Sequence, residues 1–155
     1  MPPPMTARAN KPVEVLLVED NPGDVRLTQE ALKESAVNVH LSVAKDGVEA
    51  MDFLYHRAQF ESAPTPEMIV LDLNLPRKSG REVLSEVKAD PNLRRIPVLV
   101  MTTSRAEQDV QRAYALNANC YITKPMDLDD FLRIVRAIEE FWLRTATLPT
   151  PCAAA

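Results

Sequence analysis

The stretch Met68-Ile69-Val70-Leu71-Asp72-Leu73-Asn74-Leu75-Pro76 constrains the fold more than any other part of the chain. An apolar, mostly branched run of this kind reads as a strand buried on both faces, as inside a parallel sheet. It ends in a carboxylate, and Pro76 prevents simple continuation of the ladder. An unpaired charge is costly in a core, so Asp72 is expected at the mouth of the strand, facing a crevice. In open α/β sheets, ligands bind in the crevice outside the carboxyl ends of the strands.

The same grammar recurs along the chain. Residues 13–18 form a second buried-type strand, ending in Glu19-Asp20. Val39, Leu41 and Val43 alternate with polar residues, as in a half-exposed edge strand. Residues 96–101 are a third apolar run leading to Thr102, and Cys120-Tyr121-Ile122 leads to Thr123-Lys124-Pro125. Between these lie segments of helical spacing over about 25–35, 48–55, 81–89, 107–116 and 128–143. Asp24 is read as capping or favouring the start of the first of them. Five strands alternating with five helices specify a doubly wound (βα)5 domain with right-handed crossovers. The domain is expected over 13–144, with a loose Pro-rich arm over 1–12 and a loose tail over 145–155.

With 155 residues the chain suits one domain with a full core. Its net charge of -4 argues against a nucleic-acid surface, and no apolar run approaches the length of a membrane span. The start lacks the features of a secretory signal, so a cytoplasmic location is expected. Cys120 reads as a buried small hydrophobe. Cys152 sits in a terminal sequence that formally matches a prenylation box but lacks a polybasic segment, so a plain tail is the better reading.

What stands at the strand ends suggests chemistry: Glu19 and Asp20, then Asp72, Thr102 and Lys124. If the first and third strands are neighbours, three carboxylates meet. Two carboxylates about 4 Å apart repel by roughly 4 kcal/mol at an effective dielectric near 20. Such a cluster needs a cation or a shared proton. Oxygen ligands suit Mg²⁺ better than Zn²⁺, and His40 and His56 are too few and scattered to bind zinc. A carboxylate nucleophile, Mg²⁺, an ammonium and a hydroxyl are together the parts for phosphoryl transfer to an aspartate.

The motifs Leu17-Val18-Glu19-Asp20-Asn21, Val70-Leu71-Asp72-Leu73-Asn74-Leu75-Pro76, Gly80, Val100-Met101-Thr102-Thr103 and Tyr121-Ile122-Thr123-Lys124-Pro125 resemble a response-regulator receiver domain of two-component signalling. The resemblance spans about 13–143 and implies a flavodoxin-like fold with strand order 2-1-3-4-5. It implies that Asp72 accepts phosphate from a histidine kinase. Glu19, Asp20, Asp72 and the backbone carbonyl of Asn74 would hold Mg²⁺, while Thr102 and Lys124 contact the phosphoryl group. It further implies a cis Lys124-Pro125 bond, a switch formed by Thr102 and Tyr121, and tuning of phosphoryl lifetime by Asn74 and Ser104. Finer features, including Asn21-Pro22-Gly23-Asp24-Val25-Arg26-Leu27 and Phe141-Trp142-Leu143, resemble stand-alone regulators that partner phytochrome-type kinases.

Apolar residues of the last helix spread over roughly 200° of its circumference at about 100° per residue, wider than a helix on a sheet needs. Ile134, Phe141 and Trp142 are therefore expected to be covered by something else. A homodimer through the fourth helix, fifth strand and fifth helix is the expectation, and a tail folded back around Leu148-Pro149 is the alternative. Arg77, Lys78 and Arg81 form a basic group beside the proposed pocket. After Lys124 the sequence shows no DNA-binding module, so output through a protein contact or onward phosphate transfer is expected.

Two other readings compete. A phosphohydrolase with an aspartyl-phosphate intermediate commonly carries a second carboxylate two residues after the nucleophile, and Asn74 stands there instead. A phosphorylation-independent interaction module would more readily have lost part of the acidic set, which is intact.

Overall fold

The computed structural model describes residues 11–151. Strands β1 (Val13–Val18), β2 (Val39–Ala44), β3 (Met68–Leu71), β4 (Val98–Thr102) and β5 (Cys120–Thr123) form one sheet. Every pairing is parallel, in the expected order β2-β1-β3-β4-β5. The connecting helices are α1 (Pro22–Lys33), α2 (Gly47–Leu54), α3 (Gly80–Ala89), α4 (Glu107–Ala115) and α5 (Leu128–Ile138).

Alternation along the strands divides the core in two. Leu16, Val18, Ile69 and Leu71 face one side, where they pack with Met51 of α2, Leu84 of α3 and Ala113 of α4. Val15, Leu17, Met68 and Val70 face the other, against Phe131, Val135 and Ile138 of α5 and the half-buried Val25 and Leu32 of α1. Both faces of β1, β3 and β4 are therefore covered, which is why these strands read as continuous apolar runs. Each fully buried side chain of this type contributes about 1.5–3 kcal/mol, so the central strands supply most of the driving force. The edge strand β2 is mostly half-buried, as its alternation predicted.

Helix starts follow local capping chemistry. Asn21 Oδ1 accepts from the backbone N–H of Gly23 at 2.9 Å and of Asp24 at 3.2 Å, and Pro22 takes the first helical position. Thus α1 begins three residues before the expected position 25. Asn21, not Asp24, is its cap. Asp46, Ser79 and Asp127 cap α2, α3 and α5 in the same way.

The C-terminal segment departs further from expectation. α5 ends at Ile138, and Glu139–Thr145 continue as π-type turns. Their i→i+5 bonding winds the chain less per residue, so the apolar stripe over 128–143 does not persist as one face. Leu148 is buried with Phe131, Val135 and Ile138, and Ile134, Trp142 and Leu143 pack against that cluster. The core therefore reaches past the boundary at residue 144 that the sequence suggested. The folded-back segment supplies part of the missing cover, while Phe141 remains 55% exposed beside Trp142.

The expected cis Lys124-Pro125 bond is absent: no peptide bond among the described residues is cis. Trans is the lower-energy isomer of X-Pro bonds by about 0.5–1 kcal/mol.

Candidate functional site

Strand register assembles the site. Val18 and Leu71 are partners across β1 and β3, so the next residues, Glu19 and Asp72, emerge side by side. Thr102 and Thr123 are partners across β4 and β5, and the backbone N–H of Lys124 then donates to the Thr102 carbonyl at 2.7 Å. Gly80, the first residue of α3, lies against the backbone of Asp72. A Cβ there would stand 2.1 Å from the Asp72 carbonyl oxygen.

At the crevice, one carboxylate oxygen from each of Glu19, Asp20 and Asp72 lies within 4.8 Å of the other two. Glu19 and Asp72 are buried, and Asp20 is open to solvent. The Lys124 ammonium is buried among carboxylates and donates to Glu19, to Asp24 Oδ2 at 2.9 Å and to Asp72 Oδ2 at 2.9 Å. The other Asp72 oxygen, Oδ1, accepts from the Asn74 backbone N–H at 3.1 Å. The fully buried Thr102 places its Oγ1 3.4 Å from Asn74 Nδ2, so the hydroxyl borders the same pocket. The predicted group of Glu19, Asp20, Asp72, Asn74, Thr102 and Lys124 is thus brought together by four strand ends.

Burial pushes the Glu19 carboxyl up to about 7. The Lys124 ammonium opposes that rise, and the Asp72 charge adds to it. Burial alone pulls the Lys124 ammonium down, but hydrogen bonds to Glu19, Asp24 and Asp72 outweigh it and hold it above the ordinary lysine range. Lys124 is therefore a fixed cation. Three clustered carboxylates, one of them open to water, fit a hard divalent cation, and the cluster contains neither histidine nor cysteine.

Asp24 was missed as a site residue. Its position four residues after Asp20, at the head of a helix, reads as a helix-start preference, yet its side chain turns to Lys124. The basic group is also different from its appearance in sequence. Arg77 pairs with Asp46 at 3.3 Å, Lys78 with Glu86, and Arg81 with Asp109 at 2.7 Å, so each cation has a carboxylate partner.

Tyr121 is half-buried, and its hydroxyl donates to the Ser104 carbonyl at 2.9 Å. Ser104 Oγ donates to Asp109, which also accepts from Arg81. The loop after β4 is thereby tied to β5, α4 and α3 directly beyond Thr102. Ile134, Phe141 and Trp142 lie elsewhere, at the end of α5 and in the turns after it.

The sequence profile of the response regulator receiver domain matches residues 15–136. The chain belongs to that family. The receiver is 50% identical over 145 residues to response regulator Rcp1 of Synechocystis sp., a match covering 94% of this chain and 99% of that protein. Its fold is similar to the crystal structure of the Mn(2+)-bound form of Rcp1, with a TM-score of 0.87 and 51% identity, covering 90% of this chain and 100% of that one. It is equally similar to the phosphorylated cyanobacterial phytochrome response regulator RcpA, with a TM-score of 0.87 and 51% identity over 90% and 99% of the two chains. The receiver is thus a two-component signalling protein close to phytochrome response regulators, and its family implies a histidine kinase as partner. No helix among its described residues is long and apolar enough to cross a membrane.

Proposed function

We propose that this receiver accepts a phosphoryl group on Asp72 from a phytochrome-type histidine kinase, with Mg²⁺ held by Glu19, Asp20, Asp72 and the carbonyl of Asn74. The observation that carries the reading is the placement of Asp72. Its Oδ2 lies 2.9 Å from a buried ammonium, and one of its oxygens lies within 4.8 Å of an oxygen from each of two further carboxylates. The similarity to RcpA supports the choice of kinase.

In the transfer, an Asp72 carboxylate oxygen forms a bond to phosphorus as the P–N bond of the kinase phosphohistidine breaks, and the imidazole leaves with the electron pair. Mg²⁺ held by Glu19, Asp20, Asp72 and the Asn74 carbonyl would supply charge neutralisation for the transfer. Lys124 donates to a phosphoryl oxygen, and so does the Thr102 hydroxyl, which is the short-range event of the switch. A shift of Thr102 opens space beside Tyr121, whose hydroxyl leaves the Ser104 carbonyl. Coupling of this kind is worth about 1–3 kcal/mol. The protein turns over no small substrate in this reading, works in the cytoplasm and needs no nucleic acid. The test is transfer of label from an autophosphorylated phytochrome-type kinase. Label should appear on the wild type and be absent from Asp72→Asn; label retained by the variant would overturn the assignment.

The signal leaves through protein contact, and we propose a homodimer through α4, β5 and α5 with Ile134, Phe141 and Trp142 at its margin. Tyr114, Met126, Leu128 and Phe141 are the large apolar side chains most exposed among the described residues, and β5 is an edge strand. Ile134 and Trp142 are already half-buried, so Phe141→Ala is the cleaner probe. Sedimentation velocity should show a weaker dimer for Phe141→Ala, and a monomeric wild type would end this reading.

A further inference from the structure

Lys124 has three ammonium hydrogens, and its three partners are not equivalent. An ammonium donates three hydrogen bonds and accepts none. Here they go to Glu19, Asp24 and Asp72. Glu19 and Asp72 also belong to the three-carboxylate cluster that fits a divalent cation, and Asp24 does not. Asp24 is held independently of that cluster. It lies in the first turn of α1, whose start is fixed by Asn21 and whose Thr28 hydroxyl donates to the Asp24 carbonyl at 2.8 Å. Its side chain is 24% exposed, whereas those of Lys124 and Glu19 are almost completely buried.

We propose that Asp24 is the positioning residue for Lys124. It retains one ammonium hydrogen on a fixed acceptor while Glu19 and Asp72 turn to a bound cation and Asp72 is phosphorylated. One N–H bond is then fixed, and the remaining two are aimed across the crevice at the phosphoryl oxygens. The proposal rests on Asp72 as the phosphoryl acceptor. It assigns Asp24 no contact with metal or phosphoryl group.

A purely electrostatic role makes the opposite prediction. Removing a negative charge near an anion site strengthens anion binding, and alanine and asparagine would then act alike. A positioning role depends instead on the acceptor oxygen, which asparagine keeps and alanine loses.

The experiment is titration of full-length wild type, Asp24→Ala and Asp24→Asn with beryllofluoride at saturating Mg²⁺, read by ¹⁹F NMR, with far-UV circular dichroism confirming α1 in each. Binding should weaken about fivefold in Asp24→Ala, the scale of one partly exposed charge-assisted bond, and Asp24→Asn should recover most of it. The Lys124 ammonium proton signal, observed in a ¹H–¹⁵N spectrum of the Mg²⁺ form, should broaden beyond detection only in Asp24→Ala. Unchanged binding in a folded Asp24→Ala, or equal tightening in both variants, overturns the positioning role while leaving the acceptor site intact. A wild type that binds no beryllofluoride overturns the acceptor reading and this proposal with it.

Discussion

The Lys124 ammonium lies 2.9 Å from Asp72 Oδ2, bringing the end of β5 to the end of β3 across the intervening β4. Both side chains are nearly excluded from water. The ion pair therefore joins fold stability to phosphoryl chemistry, because the same ammonium that neutralises the buried carboxylates is placed to meet an added phosphate.

Replacing Lys124 by methionine keeps the volume and removes the charge. Glu19 and Asp72 are then left buried without their cation, and breaking a buried pair of this kind costs about 3–5 kcal/mol. Urea unfolding in EDTA should show a loss at the lower end of that range, since Glu19 is already close to protonation. Added Mg²⁺ should restore more stability to Lys124→Met than it adds to wild type. An unchanged unfolding midpoint in EDTA would contradict this.

Gly80 is set by close approach, with no room for a side chain. A Cβ would lie 2.1 Å from the Asp72 carbonyl oxygen and 2.6 Å from the Leu73 Cα. Gly80→Ala must push α3 away from the phosphoacceptor loop. Overpacking of this kind costs typically 1–3 kcal/mol, so thermal unfolding should occur at lower temperature and phosphorylation by acetyl phosphate should slow. Wild-type values for both would show that the loop yields without strain.

Much of this was legible in the sequence because the central strands are buried on both faces and end in charge. The runs before Glu19 and Asp72 are neighbours in the strand order that the family resemblance implied, and register fixes their proximity. Less legible were features in which two local chemistries compete. Asn21 and Asp24 both suit a helix start, and only the fold shows that the first caps α1 while the second pairs with Lys124, one hundred residues away. Helical periodicity after Ile138 cannot reveal π-type turns, nor that Leu148 returns to the core. The basic look of Arg77, Lys78 and Arg81 vanished because their carboxylate partners lie far along the chain or on another element.

Cys120 is half-buried rather than fully buried as its sequence suggested, and this burial pushes its thiol up to about 11. At pH 8 that rise lowers the thiolate fraction about a hundredfold, and the thiolate is the nucleophile. Iodoacetamide at pH 8 should leave the Cys120 peptide almost unmodified in the native protein and label it readily in urea. Equal rates in the two states would show that the strand is open to reagent.

The Asp109 carboxyl is held below its ordinary range, first by the Ser104 hydroxyl and then by Arg81. Because the folded value is the lower one, this contribution to stability is present above the unfolded value. It is lost as pH falls through the folded value. Arg81→Ala should move the Asp109 titration, followed by carboxyl NMR, toward higher pH. An unmoved titration would contradict the contribution assigned to Arg81.

The most direct test of the phosphoacceptor is intact-mass analysis of wild type and Asp72→Asn after incubation with acetyl phosphate, with and without Mg²⁺. A single phosphoryl adduct on wild type that requires Mg²⁺ and is missing from Asp72→Asn is the expected result. An adduct of equal yield on Asp72→Asn, or one indifferent to Mg²⁺, would contradict the assignment of Asp72 and of the carboxylates around it.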